Sequence, residues 1–156
     1  MRPMSPEGTS LLVQAVPASL KVTTDQKRIL RQFMKTLREQ VTAGRSFNCL
    51  LTNDRELQRL NRDFLQHDYP TDVLSFPAAS ADGELGELAI SAERAAAQAA
   101  EFGHALIDEI RILMLHGVLH LTGMDHERDR GEMERAERKW RVQLGLPGSL
   151  IARSRQ

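Results

Sequence analysis

The chain has 156 residues, 41% hydrophobic and 27% charged, and its Lys and Arg balance its Asp and Glu to a formal net charge of zero. A chain of this size folds around one core and buries roughly two thirds of its unfolded surface, so a single domain over residues 1–156 is predicted, and a disordered or fibrous protein is not. Zero net charge removes any global-field argument for a polyanionic partner, so such a site has to be local.

Residues 1–9 carry Pro3, Pro6 and Gly8 and read as a loose arm without the apolar segment of a secretion signal. No stretch reaches the ~18 apolar residues of a bilayer span, which points to the cytoplasm and to no membrane partner. Residues 10–16 suit a strand, apolar at Leu11, Leu12, Val13 and Val16 and closed by Pro17. Thr24 or Asp25 stands ready to cap a helix whose apolar positions Ile29, Phe33, Leu37 and Val41 recur every four residues and which Gly44 ends. Residues 46–52 read as a second strand. Within it Cys49, the one cysteine, fits a buried small hydrophobe better than a reactive thiol. Asn53 or Asp54 then caps a helix bearing Leu57, Leu60 and Phe64 on one face, terminated by Pro70.

Residues 73–76 and 85–90 are β-prone pieces that the Asp82-Gly83 turn lets pair as a hairpin. Beyond Ser91 the pattern is helical: an alanine-rich helix to Gly103, then residues 105–121, apolar nearly all round and therefore central to the domain. After a break at Gly123 a charged helix over residues 132–144 follows, with Trp140 as its packing anchor and Gly145 and Pro147 as its stop. The order is βαβα, then ββ, then ααα. Basic clusters at 27–38, 55–62 and 135–141 sit among acids on these helices and read as solvated faces.

The chemistry concentrates at the end of the central helix. His116 and His120 are four residues apart, so a helix stacks both imidazoles on one face, one turn apart. Gly123 tolerates the left-handed conformation that ends a helix, and the reversing chain can return His126 as a third ligand. Three of the five histidines thus fall within eleven residues. Neutral imidazole suits zinc, and three protein ligands leave the fourth position of a catalytic site open. One Zn2+ per chain is predicted, on His116, His120 and His126. The ligand spacing is that of the metzincin proteases, but Gly117 occupies the place of their glutamate base. Zinc lowers the pKa of water to about 7, so hydrolysis remains open without that carboxylate. Asp125 has two readings, either holding the far nitrogen of a ligand histidine, which is the commoner arrangement, or accepting a proton. His67 and His104 lack ligand spacing and read as loop residues.

The run His116-Gly117-Val118-Leu119-His120-Leu121-Thr122-Gly123-Met124-Asp125-His126 resembles the signature of the YbeY family, bacterial rRNA maturation factors regarded as single-strand-specific, metal-dependent endoribonucleases. Beside it stand Leu60-Asn61, Pro70-Thr71-Asp72-Val73-Leu74-Ser75-Phe76-Pro77, Leu85-Gly86-Glu87-Leu88-Ala89-Ile90, Met133 and Glu137, so the resemblance spans residues 47–146. It implies an α/β (α+β), zincin-like fold: a small mixed sheet packed against helices, with a central buried metal-binding helix. It also implies zinc on the three histidines, single-stranded RNA rather than DNA as substrate, the small ribosomal subunit as partner, and work on the 3′ end of 16S rRNA and in ribosome quality control. Where the family usually has arginine after the aromatic residue of its N-x-x-[YF]-R segment, this chain has Leu65 after Phe64. Arg62 and Arg59, one and two turns back, are the candidate substitutes for holding a phosphate, and Thr71, Asp72 and Ser75 read either as turn and strand-start residues or as a polar wall of the groove. Two other functions compete: a ribosome-assembly factor with a mainly structural metal, and a metal hydrolase of another substrate, which Gly117 disfavours.

Overall fold

The computed structural model describes residues 9–67, 71–79, 83–125 and 127–147. Strand β1 (Ser10–Val13) and a 3-10 turn (Ala18–Leu20) precede helix α1 (Thr24–Gln40), β2 (Ser46–Thr52) and α2 (Asp54–Leu65). Then come β3 (Val73–Pro77), β4 (Glu84–Ser91), α3 (Ala92–Phe102), α4 (Leu106–Leu121) and α5 (Glu132–Leu144). The architecture is α+β, a mixed four-stranded sheet of order β1-β2-β4-β3 with helices on both faces. β1, β2 and β4 run parallel and β3 runs antiparallel to β4, which is the predicted hairpin. Among the described residues no helix is long and apolar enough to cross a membrane.

Alternation along each strand gives the sheet two apolar faces. Phe47, Cys49 and Leu51 of β2, with Leu88 and Ile90 of β4, join the main core with Leu30, Met34 and Leu37 of α1 and the apolar residues of α4. Leu74 and Ala89 face the other way, onto Leu57 of α2, with Leu50, Leu60 and Phe76 around them. Helix α4 touches β3, β4, α1, α3 and α5. Its fully buried Ile110, Ile112, Leu113 and Met114 point around the whole circumference, and each such side chain contributes roughly 1.5–3 kcal/mol by leaving water. The all-round apolar pattern and the central position have the same cause, and Cys49 is buried as its apolar neighbours suggest.

Several boundaries differ from the sequence reading for local reasons. α1 is capped by Thr23, one residue before the predicted Thr24 or Asp25, because Gln26 lies three positions on and closes a reciprocal pair: Thr23 Oγ1 accepts from Gln26 N, and Gln26 Oε1 accepts from Thr23 N. The helix ends at Gln40, before Gly44, whose N–H reaches back to Arg38 O at 2.8 Å. β1 stops at Val13 because Ala15 turns to a φ of 59° and gives its carbonyl to Asn53 Nδ2 at 2.9 Å. Asn53 also caps α2, accepting from Glu56 N at 2.8 Å. On α5 the buried residues are Met133 and Glu137, whereas Trp140 is only partly buried at the core's edge, so the predicted anchor lies beside the real one. Residues 1–8 of the predicted arm, Pro70, Asp82 and His126 lie outside the described residues.

Candidate metal centre

His116 and His120 stand one turn apart on α4, their ring centroids 4.8 Å apart and their planes at 73°. Helix α4 ends as the sequence predicts: Gly123 takes a φ of +102°, its N–H donates to His120 O, and Met124 N donates to Leu119 O. The chain reverses there, and Met124 and Asp125 line the same cleft as the two histidines. His126, the third predicted ligand, immediately follows.

His116 is braced from a distant part of the chain. Glu137 of α5, only 1% exposed, brings Oε2 to 3.0 Å from His116 Nδ1. Facing an ionised carboxylate, which only accepts, Nδ1 is the donor and Nε2 keeps its lone pair, the tautomer that leaves Nε2 open to a metal. Asp125 serves differently: its Oδ1 accepts from Glu127 N at 3.0 Å and its Oδ2 lies 3.5 Å from Arg128 Nε, so it shapes the loop on the cleft wall. Beyond its place in the family resemblance, Glu137 has a local signal in the sequence: it stands four residues after Met133, on the same stripe of α5, and a carboxylate on a buried stripe needs a partner.

The cleft encloses about 570 Å³ between the end of α4, the end of α2 and the chain entering β3. Asp72 and Ser75 lie on its wall and also tie elements together. Ser75 Oγ donates to Gly117 O at 3.0 Å, joining β3 to α4, and Asp72 accepts from Val73 N through Oδ1 and from Gln98 Nε2 through Oδ2 at 3.0 Å. Asn61, Leu65 and His67 from the end of α2 complete the opposite rim, and His67 is the loop residue the sequence predicts while also lining the cleft.

Gly117 has a structural explanation. A Cβ at this position would sit 2.7 Å from Leu88 Cδ2 and 3.2 Å from Val73 Cγ2. Position 117 therefore faces the sheet at closest approach, and a protease-type glutamate there would strike the core instead of reaching the cleft.

Arg59 and Arg62 do not line the cleft, whereas Leu65, 38% exposed, does. Arg59 binds Glu56 at 2.6 Å and Asp63 at 3.3 Å, and Arg62 Nε lies 3.1 Å from Asp63. The hydrogen bond from Arg59 holds the Glu56 carboxyl below the usual glutamate range, against a smaller opposing effect of burial, and the same contact raises Arg59.

Two neighbouring imidazoles set edge to face, one fixed in tautomer by a buried carboxylate, suit a divalent zinc-type ion, and the sequence that follows carries a third histidine. Fold and cleft thus define an α+β protein whose central helix offers a carboxylate-braced histidine pair to a substrate-sized cleft. Residues 15–145 match the family model described as Endoribonuclease YbeY, and the chain belongs to that family. It is 53% identical over 149 residues to an endoribonuclease YbeY of Solibacter usitatus, covering 96% of this chain and 97% of that one. It is 48% identical over 134 residues to one of Koribacter versatilis, covering 86% and 88%. The solution structure of TM1509 from Thermotoga maritima is similar with a TM-score of 0.54 and 29% identity over 85% of each chain.

Proposed function

We propose that this chain is a zinc-dependent hydrolase of phosphodiester bonds, an endoribonuclease specific for single-stranded RNA. Its work is 16S rRNA 3′-end maturation and quality control of the small ribosomal subunit in the cytoplasm. The observation that carries this reading is the brace of Glu137 on His116 beside His120, in a cleft of a chain that belongs to an endoribonuclease family. His116, His120 and His126 would hold one Zn2+, which when bound supplies a Lewis acid for phosphodiester hydrolysis near neutral pH. Glu137 keeps His116 in the ligating tautomer. Ser75 holds β3 against α4 so that the cleft wall keeps its spacing. Asp125 lies on the same wall and would be the proton acceptor, the role left to it once Glu137 holds the far nitrogen of His116. Arg59 and Arg62 lie on the helix whose end forms the rim, where they can meet the phosphates of a longer RNA.

The test is cleavage of a single-stranded RNA by the purified protein with and without a chelator, beside an unstructured peptide as a parallel substrate. RNA cleavage lost on chelation and restored by zinc is the expected result, with no peptide cleavage. A second reading, a ribosome-assembly factor with a mainly structural metal, is favoured by Leu65 at the rim position where the resemblance leads one to expect a cation. Metal-loaded protein that binds RNA without cleaving it would establish that reading instead.

A further inference from the structure

Several arginines of this protein are neutralised within their own neighbourhood: Arg28 by Asp25, Arg59 by Glu56, Arg94 by Asp54 and Arg138 by Glu134. On one face of helix α1 three cations are not. Arg31 and Lys35 are exposed, one turn apart, and form no ion pair among the described residues. Arg38, one turn further and half-buried, spends its Nε on Gly44 O at 3.0 Å and meets no carboxylate there. All three side chains line one groove of about 520 Å³ between α1 and β1. Glu39 is the single acid on its wall, so the lining is net cationic by two charges, three positive against one negative. Three cations that share one helix face with a single acid depart from a solvated face of interspersed signs.

The groove lies at the β1 edge of a sheet whose opposite edge, β3, borders the histidine cleft. Three strand spacings separate the two edges, about 14 Å. Arg31 and Lys35 rise about 6 Å along α1, similar to the separation of successive phosphates on an extended strand. No aromatic ring lines the groove among the described residues, so it offers charge without a stacking platform for bases.

We infer that the α1–β1 groove is a second, sequence-independent contact for the phosphodiester backbone of single-stranded RNA, remote from the site of cleavage. The inference rests on RNA being the substrate. It assigns Arg31 and Lys35 to grip a flanking stretch of the strand whose scissile bond lies in the histidine cleft. An acidic protein segment would also meet cations, and polyglutamate is the probe that separates it from RNA.

The experiment compares wild type, the double variant R31A/K35A and the control R28A, whose arginine is already paired with Asp25. Binding of a long single-stranded homopolymeric RNA is measured over a range of salt, and cleavage is measured on both a short and a long RNA. Loss of two phosphate contacts should make the log–log salt slope of R31A/K35A shallower by about 1.4, so wild type loses roughly sevenfold more affinity than the variant between ~50 and ~200 mM salt. KM should rise for the long RNA only, with kcat on the short RNA and zinc content unchanged, and R28A should match wild type. The charge-conserving double variant R31K/K35R should keep the wild-type slope. Equal slopes for wild type and R31A/K35A overturn the inference while leaving the proposed activity standing. Binding without cleavage by wild type, with the slope change present, overturns the activity and leaves this contact standing. A change seen with polyglutamate and absent with RNA overturns it in favour of an acidic protein partner.

Discussion

Glu137 of α5 and His116 of α4 lie 21 residues apart in the chain, and their 3.0 Å contact fixes which nitrogen of the imidazole faces the cleft. Glu137→Gln keeps an acceptor but removes the charge, so zinc affinity should fall about 10- to 100-fold. Glu137→Ala leaves Nδ1–H buried without that partner and should further cost about 1–3 kcal/mol of stability. Zinc titration against a competing chelator and urea unfolding separate the two effects. Wild-type zinc affinity in Glu137→Gln would remove the brace from the account.

Metal removal should lower stability without unfolding the chain, because the core around α4 is built from apolar contacts that need no ion. Purified protein should carry close to one zinc per chain and His120→Ala should lose most of it. With free zinc at about 100 times Kd, saturation adds about 2.7 kcal/mol, which calorimetry reads as a raised Tm. Helical circular dichroism that disappears on chelation would show that the metal is a folding element.

Gly117→Ala should destabilise by about 1–3 kcal/mol, since its Cβ meets Leu88 and Val73 inside a packed core. Gly123→Ala meets no neighbour but keeps a φ of +102°, so its cost of roughly 1 kcal/mol has a backbone origin. A double-mutant cycle measured by chemical denaturation distinguishes these positions: Gly117→Ala with Leu88→Ala should cost less than the sum of the two single changes, whereas Gly123→Ala with Leu88→Ala should be additive.

Leu65→Arg places a cation on the cleft rim and should steepen the salt slope of RNA binding by about 0.7. Arg62→Ala should flatten it by no more than about 0.7, because Asp63 already offsets part of that charge. Neither change should alter zinc content. An Arg62→Ala variant that abolishes cleavage while Leu65→Arg has no effect would place the phosphate contact on Arg62.

Arg59 lowers the Glu56 pKa, so the ionised carboxyl favours the folded state. Its contribution is fully present above the unfolded value of 4.5 and is lost as pH falls through the lower folded value. Wild type should therefore exceed Glu56→Gln in stability near neutral pH by a small margin, since the pair is partly exposed, and the difference should vanish in acid. Urea unfolding of both proteins across pH 2–7 checks the sign.

Local chemistry already specified much of this protein. The four-residue repeat of α1, the all-round apolar pattern of α4, the pair His116 and His120, and the Gly123 break each depend on residues within a turn or two of one another, where spacing alone dictates which side chains share a face. Even so, Thr23 rather than Thr24 caps α1, because two adjacent candidates compete and only the reciprocal bond with Gln26 decides between them. The rest depended on which helices meet. Glu137 finds His116, Ser75 finds Gly117 across 42 residues, Gly117 meets Leu88, and Arg31, Lys35 and Arg38 gather beside β1 only once α1 and α5 are docked. Periodicity reveals that a helix has a buried stripe and leaves open what that stripe will touch, and the partner of a buried charge is fixed by packing between elements far apart in the chain.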